Sequence, residues 1–99
     1  MAFIVEYTFV RPNADTAWPE FTEVQQSQIQ SLRDEHNITT LESISEDGLT
    51  KTLRQSAENQ HTYTPFYNQG QPIWEAAGIV YRCEQDGIDL SLNIVENTF

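Results

Sequence analysis

The chain has 99 residues, and 5 Lys+Arg against 15 Asp+Glu give it a formal net charge of −10; that length supports one domain, spanning 1-99. The few cations are scattered as Arg11, Arg33, Lys51, Arg54 and Arg82, which argues against direct binding of nucleic acid or an anionic membrane, since both need clustered positive charge. A hydrophobic fraction of 38% can fill a core, no apolar run approaches the ~20 residues of a membrane span, and a single cysteine, Cys83, rules out an internal disulfide.

Phe3 to Val10 alternates at period two, which predicts a strand with Phe3, Val5, Tyr7 and Phe9 on one face and Ile4, Glu6, Thr8 and Val10 on the other. Arg11-Pro12-Asn13-Ala14-Asp15 ends it with turn chemistry. Trp18, Phe21, Val24, Ile29, Leu32 and His36 then fall within an arc of about 140° at helical spacing. They predict a helix over about 18–36, with Pro19 in its first turn, Glu20 and Glu23 at its positive end, Arg33 and His36 at its negative end, and Asn37 as a left-handed stop. Residues 38–44 and 49–55 are rich in Thr and in apolar residues, and Ser45-Glu46-Asp47-Gly48 between them is a turn, so a hairpin is expected. Ile38, Ile44, Leu49 and Leu53 would share its buried face; Glu42 and Lys51 lie on that face too and fit only if they pair near an edge. A polar helix over Leu49 to Gln60 is the competing reading.

Ala57 to Gly70 is polar with inserted Tyr63, Phe66 and Tyr67, and Pro65 and Pro72 argue for a short helix or ordered loop rather than a long element. After Pro72, the spacing of Ile73, Trp74, Ala77, Val80 and Tyr81 predicts a helix closed by Gly87; a hairpin over the same 72–86 segment, turning at Asp86-Gly87, stays open. Ile88, Leu90, Leu92 and Ile94 alternate with polar residues in a last strand. The order strand, helix, strand, strand, helix, strand is that of an α+β ferredoxin-like βαββαβ domain: a four-stranded antiparallel sheet with two helices on one face.

This order, with the Phe3-Ile4-Val5-Glu6-Tyr7 strand, the Glu46-Asp47-Gly48-Leu49 turn, and Trp74-Glu75-Ala76-Ala77 leading through Asp86-Gly87-Ile88 to the last strand, resembles the dimeric α+β barrel superfamily, in particular its antibiotic-biosynthesis-monooxygenase-like members. The resemblance covers most of the chain and rests on layout. It implies a homodimer of paired sheets and a pocket between each sheet and its helices; some members oxidise aromatic substrates without metal or flavin, and some degrade haem. No local motif places that family's catalytic Asn and Trp on Asn13, Asn59, Trp18 or Trp74, so no activity is carried over. Length, acidity and a texture rich in Thr, Gln and Asn also resemble small bacteriophage-encoded proteins.

Chemistry-bearing residues are few. His36 and His61 have no ligand-spaced companion beyond Glu58, three residues before His61, and Cys83 lies between the opposing charges of Arg82 and Glu84. The adjacent acids Asp34-Glu35 and Glu46-Asp47 fall at a helix end and a turn, where solvent keeps them ordinary. No catalytic, cofactor or metal site is therefore assigned. The candidates for a pocket or an interface are aromatic: Tyr7, Trp18, Tyr63, Phe66, Tyr67 and Trp74. The first expectation is a non-catalytic domain acting by self-assembly, most simply as a dimer, or by protein-protein contact; an exposed sheet face with Ile4, Val10 and Leu41 would favour it. The second is a cofactor-independent monooxygenase-like enzyme or a binder of small aromatic ligands. The third is an acidic decoy that occupies the basic surface of a nucleic-acid-binding protein. Met1 to Glu6 lacks the basic start and apolar stretch of a signal peptide, so the expected location is cytoplasmic.

Overall fold

The computed structural model describes residues 1–99. Four strands, β1 (Phe3–Val10), β2 (Thr39–Ile44), β3 (Thr50–Ala57) and β4 (Asp89–Asn97), and three helices, α1 (Glu23–Glu35), α2 (Gln60–Ala77) and α3 (Ile79–Asp86), follow in the order β1 α1 β2 β3 α2 α3 β4. The strands form one sheet in the spatial order β2-β3-β1-β4, with every pair antiparallel. This is the ferredoxin-like arrangement expected from the hydrophobic periods, with the second helical element in two pieces.

Strand β1 anchors the core because its alternation is complete: Phe3, Val5 and Phe9 are buried, while Ile4, Glu6, Thr8 and Val10 point to the opposite, open face. Phe3 and Val5 join Ile38, Ala57, Tyr63 and Phe66 in one apolar cluster. Phe9 joins Ala77, Ile79, Cys83 and Ile88 in a second, and Tyr7 packs against both. The buried Cys83 thiol is pushed up by burial and by the nearby Asp86, which makes it a packing residue with little thiolate character.

Helix α1 begins at Glu23, five residues later than its apolar arc predicts. Thr22 caps it: its side chain accepts from the Gln25 amide while the Gln25 side chain accepts from the Thr22 amide, a capping box that leaves Pro19 outside the helix. Asn37 does stop the helix, at φ 54°. Of the predicted apolar arc, Ile29 is buried and Val24 is 68% exposed.

The hairpin forms as expected, and Ser45 and Gly48 close its turn. Asp47 accepts from the Ser45 hydroxyl and the Leu49 amide, which hold its carboxyl below the usual carboxylate range. Ile38 is buried and Leu49 and Leu53 are half-buried, but Ile44 is 55% exposed because β2 is an edge strand.

The stretch expected to be loop or short helix is the first half of α2, capped by Asn59, whose side chain accepts from the Thr62 amide. Pro65 and Pro72 are tolerated inside it because both lie on the solvent face, as do His61 and Asn68, whose carbonyls lose their helical donors to the prolines and can turn to water. The 72–86 segment is helical, with a break at Gly78, φ 65°. That break rotates the apolar register, so Ile79 and Cys83 are buried while Val80 and Tyr81, expected inside, are exposed. Gly87, φ 70°, ends α3 as expected.

Strand β4 differs most from expectation. Ile88 is buried just before it and Leu90 is half-buried, but Leu92 and Ile94 are 55% and 53% exposed, because α2 stands off the far half of this edge strand and leaves a groove of about 180 Å³ between them and Tyr63 and Tyr67. A bulge opposite Ile4 and Val5 further breaks the alternation at Val95.

Candidate functional site

The helical layer covers the sheet unevenly. Helix α1 packs mainly against α2, and between α1 and strands β2 and β3 a cleft of about 760 Å³ remains open. Its floor is apolar: Phe9 and Leu53 from the sheet, Phe21 from the segment before α1, Ile29 from α1, Trp74 from α2 and Ile79 from α3. Towards the middle of the sheet it continues into a narrow pocket of about 50 Å³ beneath Tyr7, Tyr63, Phe66, Tyr67 and Gly70, wide enough for a water or two. The two spaces share Phe21, Ile29, Arg33, Leu53 and Trp74.

Five of the six aromatic residues singled out in the sequence therefore line one connected space. Tyr7 and Trp74 stack at 5.5 Å between ring centroids, Phe21 meets Trp74 edge-on at 6.3 Å, and Tyr63 contacts Phe66 at 5.6 Å and Tyr67 at 6.3 Å. These rings converge because β1 presents Tyr7 to the helices at its midpoint, and α2 carries Tyr63, Phe66, Tyr67 and Trp74 at spacings of three, four and seven on the turns above it. Trp18 is the exception. It lies outside any helix, with the Arg11 guanidinium 4.5 Å above its ring and the Lys51 ammonium 5.9 Å away. Arg11 also donates to the carbonyls of Gly48 and Thr16, so this cluster fastens the segment before α1 to the hairpin turn.

The polar groups of the cleft are chemically distinct. The Tyr63 hydroxyl donates to Oε1 of the buried Gln55 at 2.9 Å, and burial pushes the Tyr63 hydroxyl well above the ordinary tyrosine range and raises that of Tyr7. They stay neutral and offer hydrogen bonds rather than charge. At the β2 side, Lys51 and Glu42 form the edge pair that the sequence required, Nζ to Oε1 at 2.7 Å. Arg33 lines both spaces; its Nε is buried without a hydrogen-bond partner in the protein, and burial lowers the guanidinium's pKa against the opposing pull of Glu42. Glu20 and Glu23 border the opposite end.

Sequence reasoning missed Arg33, Glu42 and Lys51 as cleft residues and Gln55 as a residue of the narrow pocket. The signal for Glu42 and Lys51 was present as two charges on the apolar face of a hairpin; Arg33 was legible only as a cation suited to a helix end. Other candidates disperse. His61 is exposed on α2 with its ring against Phe99, and His36 caps α1 at 3.7 Å from the Glu35 carboxylate. No group of three or more His, Cys, Asp or Glu side chains is placed to hold a metal ion. No helix is long and apolar enough to cross a membrane.

No protein-family model matches the chain, and no curated protein matches it in sequence. Solved structures similar in layout include the de novo designed protein LFR1 1 with ferredoxin fold, at 11% identity and TM-score 0.45, over 100% of this chain and 88% of that one. The de novo designed protein Foldit4 matches at 6% identity and TM-score 0.43, over 94% and 97%. An amidase of the hydantoinase/carbamoylase family from Burkholderia multivorans matches at 12% identity and TM-score 0.42; 96% of this chain is covered, but only 27% of the amidase. At these identities the matches say nothing of what this chain binds.

Proposed function

We propose that this chain is a small-molecule-binding domain whose ligand is a flat, largely apolar aromatic compound seated between α1 and the sheet. The observation that carries the reading is the cleft itself: about 760 Å³, within the roughly 300–1,000 Å³ of small-molecule sites, with an apolar floor of six residues inside a polar and charged rim. In the adjoining narrow pocket, the neutral Tyr7 hydroxyl and the Tyr63–Gln55 pair add hydrogen-bonding groups for whatever part of a ligand reaches inward. The test is a thermal-shift screen of aromatic acids, amides, phenols and haem, followed by tryptophan emission for any hit, since Trp74 stands in the wall. A saturable shift accompanied by a change in Trp74 emission, and weakened by Leu53→Trp, is the expected result. No shift across the set overturns the reading.

A second reading, assembly with a second copy, is favoured by β4. This strand has a free main-chain edge and exposes Leu92, Ile94 and Val95 along it. Antiparallel pairing of two copies about Asn93 sets Leu92 of one beside Ile94 of the other and brings neither Asp89 nor Glu96 opposite an acid. The open sheet face offers less: Ile4, Val10 and Leu41 are interspersed there with Thr8, Thr52, Ser91 and an Arg54 to Glu6 ion pair at 2.8 Å. Light scattering at two concentrations and two salt levels tests it. The expected outcome is a salt-insensitive dimer that Ile94→Glu converts to monomer; a wild-type monomer at high micromolar concentration rejects this assembly.

A further inference from the structure

We infer that the cleft ligand carries a carboxylate, and that Arg33 is the group that receives it. This assignment rests on the small-molecule reading above and adds the ligand's charge and orientation to it.

Four of the five cations are already engaged. Lys51 is paired with Glu42 at 2.7 Å and Arg54 with Glu6 at 2.8 Å. Arg11 spends two of its donors on backbone carbonyls and lays its plane on Trp18, and Arg82 is exposed and donates to the Glu20 carbonyl. Arg33 alone is half-buried with no carboxylate within ion-pair distance and no carbonyl. Its one polar contact in the protein is a long one, Nη1 to Gln30 Oε1 at 3.4 Å, and its Nε is fully buried and unpartnered. In a chain with 15 acids and 5 bases, a desolvated guanidinium with no acid in contact is the anomaly: Glu42 acts on it only from beyond ion-pair distance and is held by Lys51, whereas burying a charge is tolerated where something pairs it.

What the cleft places around Arg33 defines the complement. Ile29 and Gln30 flank it on α1, and Leu53, Phe21 and Trp74 continue the apolar floor away from it. An oxyanion there meets the donor fork of Arg33 beside the mutually neutralised Lys51–Glu42 pair, while the ring system extends over Leu53 towards Trp74. The reverse orientation puts the oxyanion beside Glu20 and Glu23. The unpaired cation at one end, where Glu42 is neutralised by Lys51, and the acids Glu20 and Glu23, in no ion pair, at the other therefore select a ligand with one acidic end and an aromatic body.

The test uses the full chain and two probes of nearly equal shape, 2-naphthoate and 2-naphthamide, titrated by calorimetry. Wild type is expected to bind the naphthoate at least about tenfold more tightly. Arg33→Gln should abolish most of that preference while leaving naphthamide affinity within about twofold, and Arg54→Gln, on the open face, should leave both unchanged. If Arg33→Gln does not fold, Arg33→Lys carries the test: a point charge without the Nε–H should lower the preference at least about threefold. Equal affinity for the two probes in wild type, or a preference that survives substitution of Arg33, overturns the assignment and leaves the cleft reading standing. Binding of neither probe, together with no hit among other aromatic ligands, overturns both.

Discussion

At the scale of single residues, Tyr63 shows how a polar group is admitted to this core. Its ring packs between Phe3 and Phe66, and its hydroxyl donates to Gln55, whose amide is itself buried. Removing one member leaves the other unsatisfied, so Tyr63→Phe should cost about 1–3 kcal/mol at neutral pH, read from urea melts. The same residue predicts a pH dependence. Burial raises the pKa of Tyr63 and Tyr7 above the unfolded value, so the folded state holds these protons more tightly. Stability from this source is fully present below about pH 10 and falls as pH rises beyond it, because the unfolded chain ionises first. Tyr63→Phe should therefore lose less stability than wild type between about pH 9 and 11; equal losses would show that these hydroxyls do not control the alkaline limit.

At the scale of elements, two glycines of the α2–α3 segment make opposite predictions. Gly78 sits at φ 65°, and a methyl on its Cα would meet nothing within 4 Å, so space is free and the backbone alone sets the requirement. Gly78→Ala should destabilise by about 1 kcal/mol through left-handed strain. Gly70 lies inside α2 with no positive φ, and a methyl there would meet Ile29 Cδ1 at an ordinary 3.7 Å. Gly70→Ala should therefore stabilise by about 0.5–1 kcal/mol from helix propensity. Thermal melts of the two variants separate backbone strain from crowding, and a loss in Gly70→Ala would show that the α1–α2 contact is tighter than its geometry implies. At the other end of the helical layer, Thr22→Ala removes the capping box of α1 and should cost about 1 kcal/mol.

At the scale of the whole molecule, charge is the dominant global term. With a net charge of −10 and two carboxylates in ion pairs with Lys or Arg, those of Glu6 and Glu42, folding gathers repelling carboxylates. Added salt screens them over a Debye length that shrinks from about 10 Å at 0.1 M to about 3 Å at 1 M. The melting temperature should rise by several degrees between those salt levels. A fall would mean that the Arg54–Glu6 and Lys51–Glu42 pairs outweigh the general repulsion. Salt should also sharpen the choice between ligand binding and assembly, since pairing of β4 edges relies on apolar contacts and backbone hydrogen bonds while a carboxylate at Arg33 is charge-dependent.

Much of the fold was legible because it depends on local periodicity. The alternation of Phe3, Val5, Tyr7 and Phe9 determines which face of β1 is buried, Asn37 and Gly87 mark helix ends, and Ser45 to Gly48 marks the hairpin. Boundaries were less legible where short polar motifs compete with long apolar ones: the Thr22–Gln25 box overrules the apolar arc that begins at Trp18, and the Asn59 cap starts α2 ahead of two prolines that the solvent face accommodates. The aromatic composition of the candidate site could also be read in advance, because Tyr and Trp at helical spacing over a strand converge wherever helix and sheet meet. Only the tertiary structure decided that the sheet's two flanks are left uncovered in different ways, as a cleft under α1 and an exposed apolar edge on β4. That outcome depends on how far α1 leans on α2 and where α3 ends, which are long-range packing distances that no local period encodes. The unpaired state of Arg33 belongs to the same class: a cation at a helix end is a sequence fact, but that its nearest acid, Glu42, is taken up by Lys51 and lies beyond ion-pair distance is a fact of three-dimensional neighbours.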